Sequence, residues 1–135
     1  MPAFINWPGN LDPGVMDAPT HVGDWLPTIA HVVGFDNELR PDLDGRNIWP
    51  KLVGDRAVDE SRQMYWKTRE SYAVRDGDWK MIVGRSDDNI ELYDLKNDFR
   101  ETQDISQVHS DRVTQMMELL NAFKKDDREE DSDPI

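Results

Sequence analysis

Apolar residues change their spacing midway along the chain, and the change predicts two regions of different secondary structure. The first region opens with residues 3–7, whose alternation is typical of a strand, and Pro8-Gly9 then predicts a turn. Helical spacing follows in Trp25, Leu26, Ile29, Val32 and Val33. We expect this helix to begin near Asp24, which would cap it and favour its dipole, and to end at Gly34. The stretch NIWPKLVG predicts one or two further helical turns.

The second region begins near Ser61 and predicts a small antiparallel sheet of about four strands. The candidate strands are QMYW, SYAVRD, WKMIVG and IELYDL. Asp76-Gly77 predicts a tight hairpin turn between the second and third strands, because glycine accepts a positive φ. Alternation within the third strand places Trp79, Met81 and Val83 on one face, and Lys80 and Ile82 on the other.

A helix with Ser110 as its N-cap is predicted after the strands. Its apolar stripe consists of Val113, Met116, Met117, Leu120 and Phe123. Because such a stripe needs a surface to cover, we expect the helix to pack on the sheet. Residues 125–135 are charged and nearly free of apolar residues, which predicts an acidic, disordered tail.

Composition narrows the classes of function. The chain has 135 residues, of which 28 are acidic and 16 basic, and its net charge of −12 disfavours nucleic acid and anionic membranes as partners. No apolar run approaches the ~20 residues of a membrane span, and no signal peptide is visible. The absence of cysteine excludes disulfides and thiolate chemistry but leaves the compartment open.

No catalytic or metal-binding constellation stands out in the sequence. His21 and His31 lack further ligands at usable spacing, so we interpret them as surface or capping residues. The stretch DLDG at 42–45 has no later glutamate at calcium-loop spacing, which favours a turn. We therefore predict no catalytic residue and no metal ligand.

The order of several motifs resembles the carboxy-terminal third of the type I sulfatases, the arylsulfatase family. These motifs are PAFINWPG, HVGDWLPTIAHVVG, LDGRNIWPKLVG, YAVRDGDWKMIVG and ELYDLKNDFRETQDI. The family's Asp-x-x-Pro-Thr helix is matched by Asp24, Pro27 and Thr28, and its Leu-Asp-Gly loop by Leu43, Asp44 and Gly45. Phe99 and Ile105 depart from the family's usual proline and leucine.

This resemblance implies an α/β fold class and a domain organisation. Residues 1–60 would hold the last strand and helix of an alkaline-phosphatase-like catalytic domain, truncated in this chain. Residues 61–124 would form a small four-stranded antiparallel sheet packed by a carboxy-terminal helix, and residues 125–135 the acidic tail. The strand at 3–7 would then be internal to a longer protein, whose amino-terminal sulfatase domain is the implied partner.

The resemblance also implies a function, hydrolysis of aryl or glycan sulfate esters. Family members use calcium and a formylglycine made from the Cys or Ser of a Cys/Ser-x-Pro-x-Arg motif. Here the only Ser-x-Pro begins at Ser132 and lacks the arginine, so no catalytic or metal position is carried over. We expect a fragment that is inert alone, and whose sulfated small molecule or glycan would bind only in the full-length context. The family suggests a periplasmic, secreted or lysosomal location.

The resemblance further makes three residues, Trp66, Lys67 and Arg69, candidates for contact with a substrate, because the small carboxy-terminal domain of sulfatases borders the cleft. The alternative is that the tryptophan packs in the sheet and the two cations are solvated. Two other functions also stay open. One is a free-standing interaction or regulatory module derived from a sulfatase tail, and the other is a fragment of a related phosphonate or phosphodiester hydrolase.

Overall fold

The computed structural model describes residues 3–35, 43–54, 62–86 and 89–126. Contacts between residues divide the chain into two compact units, Met1–Glu60 and Ser61–Ile135. The boundary falls where the spacing of apolar residues changes. Most of the tail predicted at 125–135 lies outside the described residues, although residues 125 and 126 belong to a helix.

The first unit contains short helices in its described part. A 3₁₀ turn, Val22–Asp24, leads into helix α1, Trp25–Val32, and helix α2 spans Trp49–Leu52. Both α-helices confirm the predicted positions. Gly34 has φ of 76° and donates its N–H to the His31 carbonyl at 3.1 Å, which is the expected helix end.

The strand predicted over residues 3–7 is wrong for this chain. These residues form no strand, and the four strands of the described sheet all come from the second unit. Alternation alone cannot make a strand, because the backbone N–H and C=O groups need a neighbouring strand to bond. The segment ends in the predicted turn, with Gly9 at φ of 81°. The Trp7 ring lies 5.6 Å from that of Trp49.

Asp24 holds the first unit together instead of capping helix α1. The residue occupies the N-cap position of α1, but its side chain makes no capping hydrogen bond there. The carboxylate accepts the N–H of His21 at 2.7 Å and that of Arg46 at 2.9 Å. Because Asp24 is fully buried, these bonds compensate its loss of water and fix the segment after residue 43 against the start of α1.

Two further contacts hold the same pair of segments. The Thr28 hydroxyl donates to the Asp24 carbonyl at 2.6 Å and accepts the N–H of Ile48 at 3.0 Å. Gly45 passes so close to Gly23 that an added Cβ would lie 2.0 Å from the Gly23 carbonyl oxygen. Glycine is therefore required at position 45 for the two backbones to approach.

The second unit is built on an antiparallel sheet in chain order, as predicted. Its strands are β1, Gln63–Lys67; β2, Ser71–Asp76; β3, Trp79–Gly84; and β4, Ile90–Asp94. The register aligns Tyr65, Val74, Met81 and Leu92 across the four strands. Gly77, at φ of 59°, opens the two-residue turn between β2 and β3, which confirms the hairpin.

Helix α3, Ser110–Asp126, covers one face of this sheet. It begins one residue earlier than predicted: Ser110 is its first residue, and the His109 carbonyl accepts the N–H of Val113 at 3.0 Å. The fully buried core consists of Val74, Met81, Val83, Leu92, Met116 and Leu120. Arg112 donates to the Asp76 carboxylate at 2.8 Å and so ties the first turn of α3 to the hairpin.

Candidate functional site

The three residues proposed for substrate contact lie at one end of the sheet but do not share a face. Trp66 and Lys67 are consecutive in β1, paired with Ala73 and Tyr72. Successive side chains of a strand point to opposite faces, so Lys67 lies on the α3 face with Tyr72, and Trp66 lies on the other face. Arg69 is exposed in the turn that follows β1. The tryptophan and the lysine are both partly buried.

A cation that the sequence did not single out, Arg85, holds this turn in place. Its Nε and Nη2 donate to the Thr68 carbonyl at 3.1 and 2.8 Å, and its Nη1 donates to the Tyr72 hydroxyl at 2.7 Å. Its backbone N–H also bonds the Glu70 carbonyl at 3.0 Å. The guanidinium thus stabilises the loop between β1 and β2. No pattern in the sequence marked Arg85, because strands β2 and β3 separate it along the chain from the loop that it contacts.

Aromatic rings pack beside this turn on the α3 face. The Tyr65 ring stacks on Phe123 at 5.4 Å and on Tyr72 at 6.4 Å. The Lys124 ammonium lies 4.0 Å from the centre of the Tyr72 ring, and the Arg85 guanidinium lies 4.6 Å from it. The rings pack against one another and against the two cations. This cluster therefore joins α3 to the edge of the sheet.

The acidic motif between residues 94 and 104 is bound to its own backbone. The Asp94 carboxylate accepts the N–H of Lys96 at 3.1 Å, and that of Asp98 accepts the N–H groups of Thr102 and Gln103, both at 2.8 Å. The motif therefore shapes the loop after β4.

Asp104 and Glu101 complete this loop. Asp104 accepts the N–H of Leu92 at 3.0 Å and that of Ser106 at 2.9 Å, which fastens the loop to β4. Glu101 places each carboxylate oxygen 2.6 Å from the Lys80 ammonium on β3. The carboxylates of the motif thus hold the loop against the sheet.

The pKa shifts of Asp98 and Asp104 agree with this structural role of the carboxylates. The Leu92 and Ser106 N–H groups hold the pKa of Asp104 below its usual range, and the Gln103 N–H is the largest cause lowering the pKa of Asp98. Burial, followed by the hydrogen bond to Glu91, raises the pKa of Tyr93 to about 12. A tyrosine shifted in this direction is a poor proton donor near neutral pH.

The described residues contain no group of three or more His, Asp or Glu side chains that could hold a metal ion. Asp42 of the DLDG stretch lies outside these residues, and Asp44 is exposed. His21 caps the 3₁₀ turn through Nδ1, which accepts the Gly23 N–H at 3.2 Å, as predicted for a capping histidine. Over the same part of the chain, no helix is long and apolar enough to cross a bilayer.

Known proteins similar to this chain are sulfatases, although no protein-family model matches it. Mouse steryl-sulfatase is 33% identical over 66 residues, which are 48% of this chain and 11% of that protein. A sulfatase of Formosa agariphila is 24% identical over 146 aligned positions, covering 91% of this chain and 26% of that protein. The chain thus spans about a quarter or less of these relatives.

Solved structures agree on the fold. The Bacteroides fragilis protein yidJ, described as a sulfatase, matches 76% of this chain and 24% of its own length, with a TM-score of 0.60 and 17% identity. These matches are consistent with the carboxy-terminal portion that the motif order indicated, and they confirm the mixed helix and sheet architecture.

Proposed function

We propose that this chain, which is similar to a portion of the sulfatases, acts as the carboxy-terminal part of a sulfuric ester hydrolase without carrying the chemistry itself. In this proposal, residues 1–60 complete the catalytic domain and residues 61–124 form the small terminal subdomain. The observation that carries it is the similarity across 91% of the chain to one quarter of a much longer sulfatase.

The distribution of polar groups supports a non-catalytic role. The motif carboxylates Asp98 and Asp104 accept backbone N–H groups, and Glu101 is paired with Lys80, so the described loop directs none of them at a shared point. Hydrolysis of a sulfate ester by attack on sulfur needs an activated nucleophile, and it needs stabilisation of the negative charge on the sulfuryl oxygens and on the departing alcohol or phenol oxygen. We therefore propose that the chain is inert until the rest of a sulfatase supplies them.

Contact with substrate remains a proposal for Trp66, Lys67 and Arg69. A cation would pair with an anionic substituent of an aryl or glycan sulfate, and the indole would pack on an apolar ring. Because Trp66 and Lys67 lie on opposite faces of β1, only a ligand at the strand edge would reach both. Once the chain is combined with the rest of a sulfatase, a role in binding predicts that R69A raises the KM of the combined enzyme for the sulfate ester and leaves its kcat unchanged.

The test compares turnover of para-nitrophenyl sulfate by the purified chain, with and without calcium, and by the chain combined with the Formosa agariphila sulfatase from which the matched segment has been removed. We expect the chain alone to match the blank and the combination to hydrolyse the ester. Calcium-dependent turnover by the chain alone would contradict inertness.

Two other outcomes identify the alternative functions. If the combination hydrolyses a phosphonate or phosphodiester analogue in preference to the sulfate ester, the chain is better described as a fragment of a phosphonate or phosphodiester hydrolase. A chain that fails to restore turnover, while the sulfatase's own segment supplied separately succeeds, would favour a free-standing interaction module.

A further inference from the structure

The chain contains two Asp-Gly pairs, Asp44-Gly45 in the first unit and Asp76-Gly77 in the second. An aspartyl residue rearranges most readily before glycine, because glycine has no side chain to hinder its amide nitrogen when that nitrogen attacks the preceding carboxyl group. The two pairs share this chemistry, so their surroundings in the fold decide which of them reacts.

The second pair has hydrogen bonds on both of its reacting groups. The Asp76 carboxylate accepts a hydrogen bond from Nη2 of Arg112 at 2.8 Å, and Nε2 of Gln63 donates to its other oxygen at 3.4 Å. The Gly77 N–H donates to the Arg62 carbonyl at 3.3 Å. These contacts must break before the Gly77 nitrogen can attack the carboxyl group of Asp76.

The first pair lacks these restraints. Asp44 is exposed. Within the described segments, neither the Asp44 carboxylate nor the Gly45 N–H takes part in a hydrogen bond. The carboxyl carbon of Asp44 can therefore approach the Gly45 nitrogen without the loss of a hydrogen bond.

We propose that Asp44 is a site of spontaneous isomerisation to isoaspartate, and that the fold protects Asp76 from the same reaction. The Gly45 nitrogen forms a bond to the side-chain carboxyl carbon of Asp44, and the bond from that carbon to its hydroxyl oxygen breaks. The hydroxyl leaves as water with the amide proton. Water then adds to the five-membered cyclic imide. Opening at the main-chain carbonyl gives isoaspartate, and opening at the side-chain carbonyl returns aspartate.

The modification would act on the junction that fixes the start of helix α1. Isoaspartate directs the backbone through the side chain and adds one carbon atom to the path between residues 44 and 45. Directly after this point, Gly45 makes its close approach to Gly23, and Arg46 donates its N–H to the buried Asp24 carboxylate at 2.9 Å. Both contacts depend on the position of this backbone, so the added atom displaces them. Isomerisation therefore loosens the first unit as the chain ages.

The experiment incubates the full chain under native conditions and follows isoaspartate in the peptide that contains each pair. An isoaspartate-specific carboxyl methyltransferase labels the modified residue, and mass spectrometry locates the label. We expect isoaspartate to form at Asp44 about 10- to 100-fold faster than at Asp76, because the charge-assisted hydrogen bond from Arg112 must break before Asp76 reacts. In urea, where neither pair is folded, the two rates should converge.

Two variants separate the contributions. Asp44→Glu keeps the charge but would need a less favourable six-membered ring, so we expect no isomer at this position. Amide hydrogen exchange of residues 25–32 should increase during incubation of the unchanged chain and stay constant in Asp44→Glu. Arg112→Gln removes the cation from Asp76 and should raise the rate at Asp76 alone, with exchange of the β3 amides reporting that the sheet is still folded.

Three results would overturn the proposal. They are a rate at Asp76 that equals or exceeds the rate at Asp44 in the folded chain, a ratio of the two rates that is the same in urea, and loosening of α1 in Asp44→Glu at the pace of the unchanged chain. The measurement uses neither a partner nor an ester, so its outcome is independent of the proposed function.

Discussion

The two units of the chain differ in how far the apolar side chains of their helices are buried. In the second unit, a helix covers the sheet and buries residues such as Met81 and Leu120 completely. In the first, aliphatic residues of α1 such as Leu26 and Ile29 lie largely exposed. The same helical spacing thus produces a core in one unit and a surface in the other, because among the described residues only the second unit supplies a facing sheet.

The largest difference should be seen on truncating a leucine in each unit. Leu120→Ala removes a fully buried side chain, and we expect a loss of about 2–5 kcal/mol in the free energy of unfolding of the second unit. Leu26→Ala in the first unit should change stability by less than about 0.5 kcal/mol. Urea unfolding followed by hydrogen exchange measures both, on the β3 amides for Leu120→Ala and on the α1 amides for Leu26→Ala. A comparable loss in the two variants would contradict the contrast.

A close approach of two backbone segments helps to hold the first unit together, and Gly45→Ala tests this contact. Its new Cβ would meet the Gly23 carbonyl at 2.0 Å, so we expect destabilisation of that unit by about 1–3 kcal/mol or more. Gly14→Ala is the matched control, since nothing lies within 4 Å of its Cβ. Hydrogen exchange of the α1 amides reports the effect. Equal exchange in both variants would show that the close approach is dispensable.

The sequence also predicted the structure of the second unit better than that of the first. Alternation, the Gly77 turn and the stripe on α3 are local patterns whose partners lie within the same unit, so the sheet and its helix were predicted almost completely. Asp24 was expected to cap α1 because capping is a local interaction. Its carboxylate instead accepts the N–H of the nearby His21 and that of Arg46, and the second of these partners lies 22 residues away and leaves no local signal.

The candidate site shows the same limit. The family resemblance suggested Trp66, Lys67 and Arg69, but strand periodicity alone places the first two on opposite faces. Arg85, which holds the neighbouring turn, is 17 residues from Thr68, so its contact depended on the register of two strands. Sequence reasoning named a segment for substrate contact but could not assemble its side chains.

Asp104 should make the second unit sensitive to acid. Hydrogen bonds from Leu92 and Ser106 lower its pKa in the folded state, so its stabilisation is present above the unfolded pKa of about 4 and is lost as pH falls through the lower folded value. Asp104→Asn should cost about 1 kcal/mol at neutral pH and flatten this acid-dependent loss. The free energy of unfolding, measured from neutral to acidic pH, tests this expectation. Asp12→Asn, which makes the same change of charge in the first unit, is the control. If the Asp104→Asn variant lost stability with falling pH as the unchanged chain does, the hydrogen bonds of Asp104 would not be the source of the acid sensitivity.

The smallest effect concerns Glu101, whose backbone has φ of 57° while its carboxylate pairs with Lys80 at 2.6 Å. Glu101→Ala should lose up to about 1 kcal/mol, because a partly exposed ion pair disappears. Glu101→Gly loses the same pair but relieves the left-handed backbone, so we expect it to be about 1 kcal/mol more stable than the alanine variant. Both variants lack the carboxylate, and their difference in urea midpoint therefore isolates the backbone term. Lys80→Met removes the pair alone and should resemble the alanine variant. If the glycine variant is no more stable than the alanine one, the loop after β4 tolerates this conformation without cost, and the ion pair alone accounts for the glutamate.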